Sequence, residues 1–247
     1  MTPAGPPPAR WRNAARSWAR ETWRTSPRCA AAGAHGIFGV QPLAHEPETL
    51  AAEVRHGKAV ADVAGEAGVA HLVHSSVGGA ERKTGIDHFE TEAETEAETE
   101  AEIERHIERR GLPATVLRLV FFMDNLLYFA EAGDERVLSL PVEPLRPMQF
   151  IASEDIGAFA ADAFERPAEY LGERIEIAGD ELTCTRVAEV YERVTGTPTR
   201  LDPVPVEDRM FAWFAEEGYQ ADLPALRARR PDLLTFEQFL LRRLGPS

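Results

Sequence analysis

The chain has 247 residues, of which 44% are apolar and 28% charged, a composition typical of a globular protein with one sizeable core. Its formal net charge of −14 argues against nucleic acid as a partner, because a phosphate-binding face needs many basic side chains. No apolar run approaches the ~20 residues that cross a bilayer, and two cysteines, Cys29 and Cys184, indicate neither a disulfide framework nor a cysteine metal cluster. We therefore predict a cytoplasmic protein with no nucleic-acid or membrane partner.

Residues 1–33 differ in composition from the rest of the chain. They hold six arginines against one acidic residue, Glu21, and three of the four tryptophans. Five of the arginines recur at every fourth residue from Arg12 to Arg28. Three interpretations stay open: a targeting peptide, a basic surface-binding helix, or a leader foreign to the fold that arises from a misassigned start or a shifted frame. We favour the third and predict a non-homologous leader that is disordered or irregular.

From residue 34 onward, short buried strands alternate with helices, which is the pattern of an α/β protein with a mostly parallel sheet. Strands are predicted over Ala34–Val40, His71–Val77, Thr115–Leu119 and Arg174–Ala178. Helices are predicted over Thr49–Ala67, over Asp155–Phe164 with Ser153 as its N-cap, and from Thr183 to Gly196. Beyond residue 130 the alternation becomes sparser, and an amphipathic helical segment, Pro205–Leu244, indicates a smaller C-terminal lobe.

The strand His71–Val77 carries two hydroxyl groups, Ser75 and Ser76, just before the glycine pair Gly78–Gly79. The C-terminal ends of parallel strands are where α/β proteins bind their ligands. The preceding helix places Lys58 on its apolar stripe. Two interpretations of Lys58 stay open: an aliphatic stem with its ammonium in water, or an ammonium that reaches along the sheet edge toward an anion.

The motif TEAE occurs three times in succession, over residues 91–94, 95–98 and 99–102. Glu and Ala favour helix, whereas Glu92, Glu96 and Glu100 are spaced four residues apart and repel one another. Apolar residues return only at Ile103 and Ile107. We therefore predict an in-frame duplication that lengthens a solvated acidic helix over residues 90–110. A metal-binding acidic cluster is the alternative, and we predict no metal site.

Seven segments of the chain occur in the same order in NmrA-like proteins, which are atypical relatives of the short-chain dehydrogenase/reductases. They are GIFGVQP, EVRHGKAVADVAGEAGVAHLVHSSVGG, GIDHFE, LPATVLRLVFFMDNLL, FIASEDIGAFAADAF, GDELT and GYQADLPALRARRPDLLTFEQFL. The resemblance covers about Ala34 to Leu241 and implies a Rossmann-type sheet with a C-terminal substrate or partner lobe. It also implies a dinucleotide ligand, NADP(H) or NAD(H). Some members of the family are redox sensors that bind a regulatory protein, and others reduce quinones or related small substrates.

The chain departs from the family pattern in three respects. The first strand and the GxxGxxG phosphate loop of the family have no counterpart, so we expect the first βαβ strands of the sheet to be lacking. The family lysine that follows an HF pair is replaced, because the matching positions read His88 and Glu92, and a carboxylate would repel phosphates. The TEAE duplication begins at the same place and would push the helix outward or shift its register.

The resemblance implies a set of cofactor-binding residues on the side of the site that faces the nicotinamide: Val40, Gln41, Pro42, Lys58, Ser75, Ser76, Phe122, Met123, Asp124 and Asn125. The first three would lie near the adenosine and phosphates, and the last four would close over the nicotinamide. The two serines would take the place of the reductase serine. The candidate catalytic residues are Ser75 and His88, although His88 is more readily explained as a packing histidine.

These expectations divide the chain into a leader (1–33), the remainder of a Rossmann-like domain (34–130) and a C-terminal lobe of the same domain (131–247). The leading hypothesis is an NAD(P)(H)-binding protein, by lineage a redox sensor or a quinone-type reductase, in which cofactor binding is impaired. An active chain would be an NAD(P)H-dependent oxidoreductase. The alternative is a non-catalytic interaction or regulatory module that meets a protein partner through an exposed sheet edge or the acidic helix.

Overall fold

The computed structural model describes residues 33–41, 47–80, 82, 92–131, 134–202, 213–214 and 216–244. The predictions made for residues 1–32, for Pro42 and for His88 lie outside these ranges. The statements below concern the described residues.

The described strands, in chain order, are β1 (Gly36–Gly39), β2 (His71–Val77), β3 (Ala114–Leu119), β4 (Phe121–Phe122), β5 (Ala130–Glu131), β6 (Arg136–Leu138), β7 (Pro147–Ile151), β8 (Arg174–Ile177), β9 (Asp180–Thr183) and β10 (Thr199–Leu201). The described helices are α1 (Pro47–Ala67), α2 (Glu92–Arg109), α3 (Met123–Phe129), α4 (Ser153–Glu165), α5 (Pro167–Tyr170), α6 (Cys184–Thr195), α7 (Leu223–Arg229) and α8 (Phe236–Leu244).

The central sheet has the strand order β1-β2-β3-β8, and all three pairings are parallel. Ser76 of β2 lies beside Arg118 of β3, and Arg118 lies beside Glu176 of β8. These three side chains therefore share one row and one face near the C-terminal ends of their strands. The arrangement confirms the predicted α/β class with a mostly parallel sheet.

Helices cover both faces of the central sheet. On one face, α1 and α2 enclose a small apolar cluster that includes Leu72 of β2 and Ile103 of α2. On the other face, α4 packs Phe159 and its apolar neighbours against Val73 of β2 and Leu117 of β3. Successive residues of β2 thus point alternately to the two helical layers, as strand geometry requires.

Helices α1 and α2 approach closely because Gly57 has no side chain. A Cβ atom at Gly57 would overlap the side chain of Ile103, which is fully buried. Ile103 therefore sits in a notch of α1 and fixes which residues of α2 face the sheet.

A second core lies beside the central sheet. It is built by two three-stranded sheets, β4-β7-β9 and β10-β6-β5, together with α6 and α8. Its largest fully buried side chains are Phe150, Tyr191, Phe236 and Phe239. The chain passes back to the first layer at α4 and β8, which pack with the central sheet. The division at residue 130 stays a proposal.

Local signals at helix ends were predicted with mixed success. The Thr183 side chain accepts a hydrogen bond from the Arg186 backbone N–H, and Gly196 ends α6 in the left-handed region with φ of 68°, as predicted. The prediction of Ser153 as an N-cap is wrong, because α4 already begins at Ser153 and the extended residue before it is Ala152. None of the described helices is long and apolar enough to span a membrane.

Candidate functional site

The C-terminal ends of β1, β2 and β3 meet at one edge of the central sheet, where an α/β protein binds its ligand. Val40 and Gln41 follow β1 directly at this edge; Val40 is exposed and Gln41 is half-buried. Of the predicted site residues, Val40, Gln41, Lys58, Ser75 and Ser76 belong to elements that end or begin here.

The two predicted serines lie on opposite faces of the sheet. Ser76 points toward α2 and donates a hydrogen bond of 2.6 Å to Glu104 Oε1. Ser75 shares the face of Val73, which packs against α4. Both side chains are buried. One ligand on one face of the sheet therefore cannot use both hydroxyl groups in the same way.

Lys58 of α1 pairs with a carboxylate of the chain itself. Its Nζ donates to Glu102 Oε1 of α2, and this hydrogen bond lowers the pKa of Glu102. The pair is partly accessible, because the Glu102 side chain is 45% exposed. The Lys58 ammonium is therefore paired with the Glu102 carboxylate, whereas one of the two sequence interpretations placed the ammonium in water.

A buried acidic cluster lies between α1, α2 and β2, and the sequence did not single it out. His74 Nε2 lies 2.7 Å from Glu100 Oε2, and both side chains are buried. Glu53 of α1 is only 4% exposed, and its Oε2 atom has no hydrogen-bond partner. Burial, followed by the charge of Glu100, raises the pKa of Glu53 to about 7.

The second carboxylate on the sheet-facing side of α2 is Glu104. Arg118 of β3 binds it with two hydrogen bonds, of 3.1 Å from Nε and 2.8 Å from Nη2. Ser76 donates to the same carboxylate, and Arg174 of β8 lies 3.8 Å away. A buried carboxylate with this many donors is well satisfied and anchors α2 to the sheet.

The prediction of a solvated acidic helix is therefore wrong for the sheet-facing side of α2 from residue 99 onward. Thr99, Glu100 and Glu104 are each buried. The physical reason is that basic and polar side chains on β2 and β3 supply partners that the helix sequence itself does not reveal. The sequence of β2 did hold a signal for these contacts, because His74 and Ser76 lie two and four residues after Leu72 and therefore face the same helical layer.

The three TEAE copies offer several glutamates, of which one lies beside β2. The sequence comparison placed Glu92 at the position of the family lysine, and Glu100 is the equivalent residue in the third TEAE copy. In the structure, Glu100 is the copy that faces His74. A carboxylate thus stands at the sheet edge, but eight residues later in the chain than the sequence match indicated.

The segment after β3 makes packing contacts and hydrogen bonds within the chain, and its predicted contact with the nicotinamide stays a prediction. Met123 is fully buried in the second core, and Phe122 and Asn125 are half-buried. Asp124 accepts hydrogen bonds from the Ser153 backbone N–H (3.1 Å) and Oγ (2.8 Å), and it also binds Arg243 at 2.9 Å. Asp124 therefore caps the start of α4 from a distant part of the chain, where negative charge is favourable.

The glycine pair after β2 is covered by the C-terminal segment around Trp213 and Tyr219. A Cβ atom at Gly78 would lie 2.7 Å from the Tyr219 ring. At Gly79, where φ is 87°, it would lie 2.8 Å from the Trp213 ring. Arg82 holds this arrangement, because it donates to the Gly218 carbonyl at 2.7 Å and its guanidinium lies 5.5 Å from the Trp213 ring centroid.

A cleft of about 270 Å³ opens beside this aromatic segment and is lined by Arg146, Met148, Gln149, Phe214 and Tyr219, among others. Gln149 is fully engaged with the protein, because its amide exchanges hydrogen bonds with the backbone of Ala221. Within the described residues, no group of three or more His, Cys, Asp or Glu side chains is arranged to hold a metal ion.

A parallel sheet with helices on both faces, and with its polar residues gathered at the C-terminal strand ends, defines a Rossmann-type α/β protein. The family model described as "NmrA-like family" matches residues 19–225, and the chain belongs to this family. The resemblance seen in the sequence is thereby confirmed.

Solved structures with the same fold include NmrA, a negative transcriptional regulator, with a TM-score of 0.69, 18% identity, and coverage of 88% of this chain and 76% of that one. NmrA in complex with NADP gives a TM-score of 0.67 at 19% identity, with the same coverage of 88% and 76%. The Citrobacter sp. triphenylmethane reductase complexed with NADP(H) gives 0.68 at 14% identity, covering 87% and 78%. At these identities the similarity concerns the fold.

The charges at the C-terminal edge of β1, β2 and β3 determine how well this edge can bind the pyrophosphate of a dinucleotide. Phosphates are bound by N–H donors and cations. On the α1 and α2 side, Lys58, His74 and Arg118 each already pair with a glutamate of α2. Glu53 adds a further carboxyl group there. This side of the edge, as arranged in the structure, does not fit a phosphate group.

Proposed function

We propose that this chain is an NmrA-like protein that binds NAD(P)(H) weakly and carries out no efficient reductase chemistry. The dinucleotide assignment rests on family membership and on the solved structures of NmrA in complex with NAD and with NADP. Location in the cytoplasm is part of the same proposal. The chain would act as a dinucleotide-responsive regulator more readily than as an enzyme.

The observation that carries the proposal is the Glu100 carboxylate, buried 2.7 Å from His74 at the edge where the cofactor would lie. If a phosphate charge lay about 6 Å from this carboxylate and the neighbouring basic groups did not offset the repulsion, it would be repelled by roughly 3 kcal/mol at an effective dielectric constant of about 20. A repulsion of that size corresponds to more than a hundredfold in Kd. One such carboxylate is therefore enough to weaken dinucleotide binding substantially.

The test is a titration of the purified chain with NADPH, followed by the fluorescence of the reduced nicotinamide. We expect a Kd weaker than ~100 μM. Saturation at low micromolar NADPH would overturn the proposal. Turnover of NADPH with a simple quinone would overturn the proposal that the chain carries out no efficient reductase chemistry. Loss of that turnover in Ser75→Ala would assign the activity to the predicted serine.

A second candidate function is a protein-interaction module without catalysis. Two apolar side chains at or beside β1 favour it, because Phe38 and Val40 are both exposed, Val40 to 57%. In the described part of the sheet, β1 is one of the two outermost strands, and exposed strand edges pair readily with other chains. Size-exclusion chromatography separates the two candidates: a concentration-dependent oligomer that is lost in Phe38→Ser and Val40→Ser supports the module, whereas a monomer at all concentrations contradicts self-association through this edge.

A further inference from the structure

Three glutamates of helix α2 each contact a donor at the candidate site: Glu100 and Glu104 face the sheet, and Glu102 faces the neighbouring helix α1. Glu100 binds His74, Glu102 binds Lys58, and Glu104 binds Arg118 and Ser76. The donors come from three different elements, α1, β2 and β3. Two of them, Lys58 and Ser76, are residues that family resemblance assigns to the cofactor.

These four donors have the chemistry of a phosphate-binding site. An ammonium, an imidazole, a guanidinium and a hydroxyl group all donate hydrogen bonds to phosphate oxygens, and the guanidinium of Arg118 has the planar fork that matches oxyanions. A carboxylate and a phosphate oxygen are equivalent acceptors for such donors. The glutamates of α2 and an external phosphate therefore compete for the same hydrogen bonds.

Building on the weak binding proposed above, we propose that α2 is an autoinhibitory helix, in which Glu100, Glu102 and Glu104 hold Lys58, His74, Ser76 and Arg118 in internal pairs and thereby exclude a phosphate-bearing ligand from the C-terminal edge of β1–β3. An acceptor tethered in the same chain acts at a high effective concentration, so an external anion binds only to the fraction of molecules in which the internal pairs are open.

The three pairs differ in how easily they open. Glu104 is buried and accepts two hydrogen bonds from Arg118, so removing it would take both hydrogen bonds from a largely buried guanidinium. Glu102 and Lys58 form a partly exposed pair, and such pairs contribute little to stability. The Glu102–Lys58 contact is therefore the releasable part of the inhibition, while the Glu104–Arg118 contact keeps α2 docked.

The experiment measures the binding of inorganic pyrophosphate and of NADPH by calorimetry to the full chain and to Glu102→Gln. The matched control is Glu98→Gln, because Glu98 lies exposed on the same helix and its loss changes the net charge by the same amount. We expect Glu102→Gln to bind both ligands at least fivefold more tightly than the wild type, and Glu98→Gln to change binding less than twofold.

A second substitution shows whether the gain depends on the released lysine. Adding Lys58→Gln to Glu102→Gln should return the affinity to the wild-type value. Equal tightening in Glu98→Gln and Glu102→Gln, or no tightening in a Glu102→Gln protein whose thermal unfolding matches the wild type, would overturn the autoinhibition. The proposal of weak dinucleotide binding concerns only the Kd of the wild type. Micromolar NADPH binding by the wild type, together with a fivefold gain in Glu102→Gln, would contradict weak binding but support autoinhibition.

Discussion

Glu53→Gln removes a buried carboxyl group while keeping its size and shape. Glu53 is 4% exposed, and one of its oxygens has no partner. Burial and the neighbouring Glu100 raise its pKa from 4.5 to about 7. In the unfolded chain the carboxyl group ionises near its ordinary pKa, whereas in the folded chain it keeps its proton until about pH 7.

The sign of the effect follows from this difference. Between pH 4.5 and about 7 the folded state binds more protons than the unfolded state, so stability falls as the pH rises, and the full penalty is present above about pH 7. Each pKa unit corresponds to 1.36 kcal/mol, so the penalty is about 3 kcal/mol. Glutamine carries no such penalty. We expect Glu53→Gln to be more stable than the wild type by up to about 3 kcal/mol at pH 8, and equal to it below pH 4.5.

The assay is urea unfolding of both proteins at several pH values from 4 to 8. Subtracting one free energy of unfolding from the other at each pH cancels the contributions of all other titrating groups that the substitution leaves alone. In thermal unfolding the same difference corresponds to roughly 6–12 °C in Tm at pH 8. A Glu53→Gln protein that is less stable than the wild type at pH 8, or a difference that does not change with pH, would refute the reasoning.

Two further predictions concern packing and capping. Gly78→Ala should lower the free energy of unfolding by about 1–3 kcal/mol, because its new methyl group would lie 2.7 Å from the Tyr219 ring. Gly157→Ala is the control, since a methyl group there meets no atom within 4 Å, and equal losses in urea unfolding would contradict the packing argument. Asp124→Ala should cost about 1 kcal/mol, because the carboxylate caps α4 through Ser153; unchanged unfolding would show that the cap contributes nothing.

Local patterns were sufficient to predict the elements whose side chains meet within a short stretch of sequence. The strand His71–Val77 and the caps of α6 at Thr183 and Gly196 follow from alternation and from turn chemistry, and the structure confirms them. The cap of α4 could not be found in this way. Asp124, which supplies it, lies 29 residues before Ser153 in the sequence, so only the folded chain brings the two together.

The acidic helix shows why charge patterns alone are insufficient. Three TEAE copies have the same composition, so nothing in the repeat distinguishes a solvated glutamate from a buried one. The distinction comes from His74 and Arg118, which lie on the strands before and after the helix; His74 binds Glu100 in the third copy, and Arg118 binds Glu104 just after the repeat. Family resemblance likewise identified a carboxylate in place of lysine but could not choose among the copies.

The contact between Ile103 and Gly57 bears on how the number of TEAE copies can vary. The helix is positioned from its downstream end, so the glutamates that reach the sheet are set by counting backward from Ile103. A gain or loss of whole four-residue copies alters only how far the helix projects at its start. Natural changes in copy number, which arise easily in repetitive DNA, would then leave the same contacts at the sheet, and a chain with two copies and one with four would differ in length but share one interior.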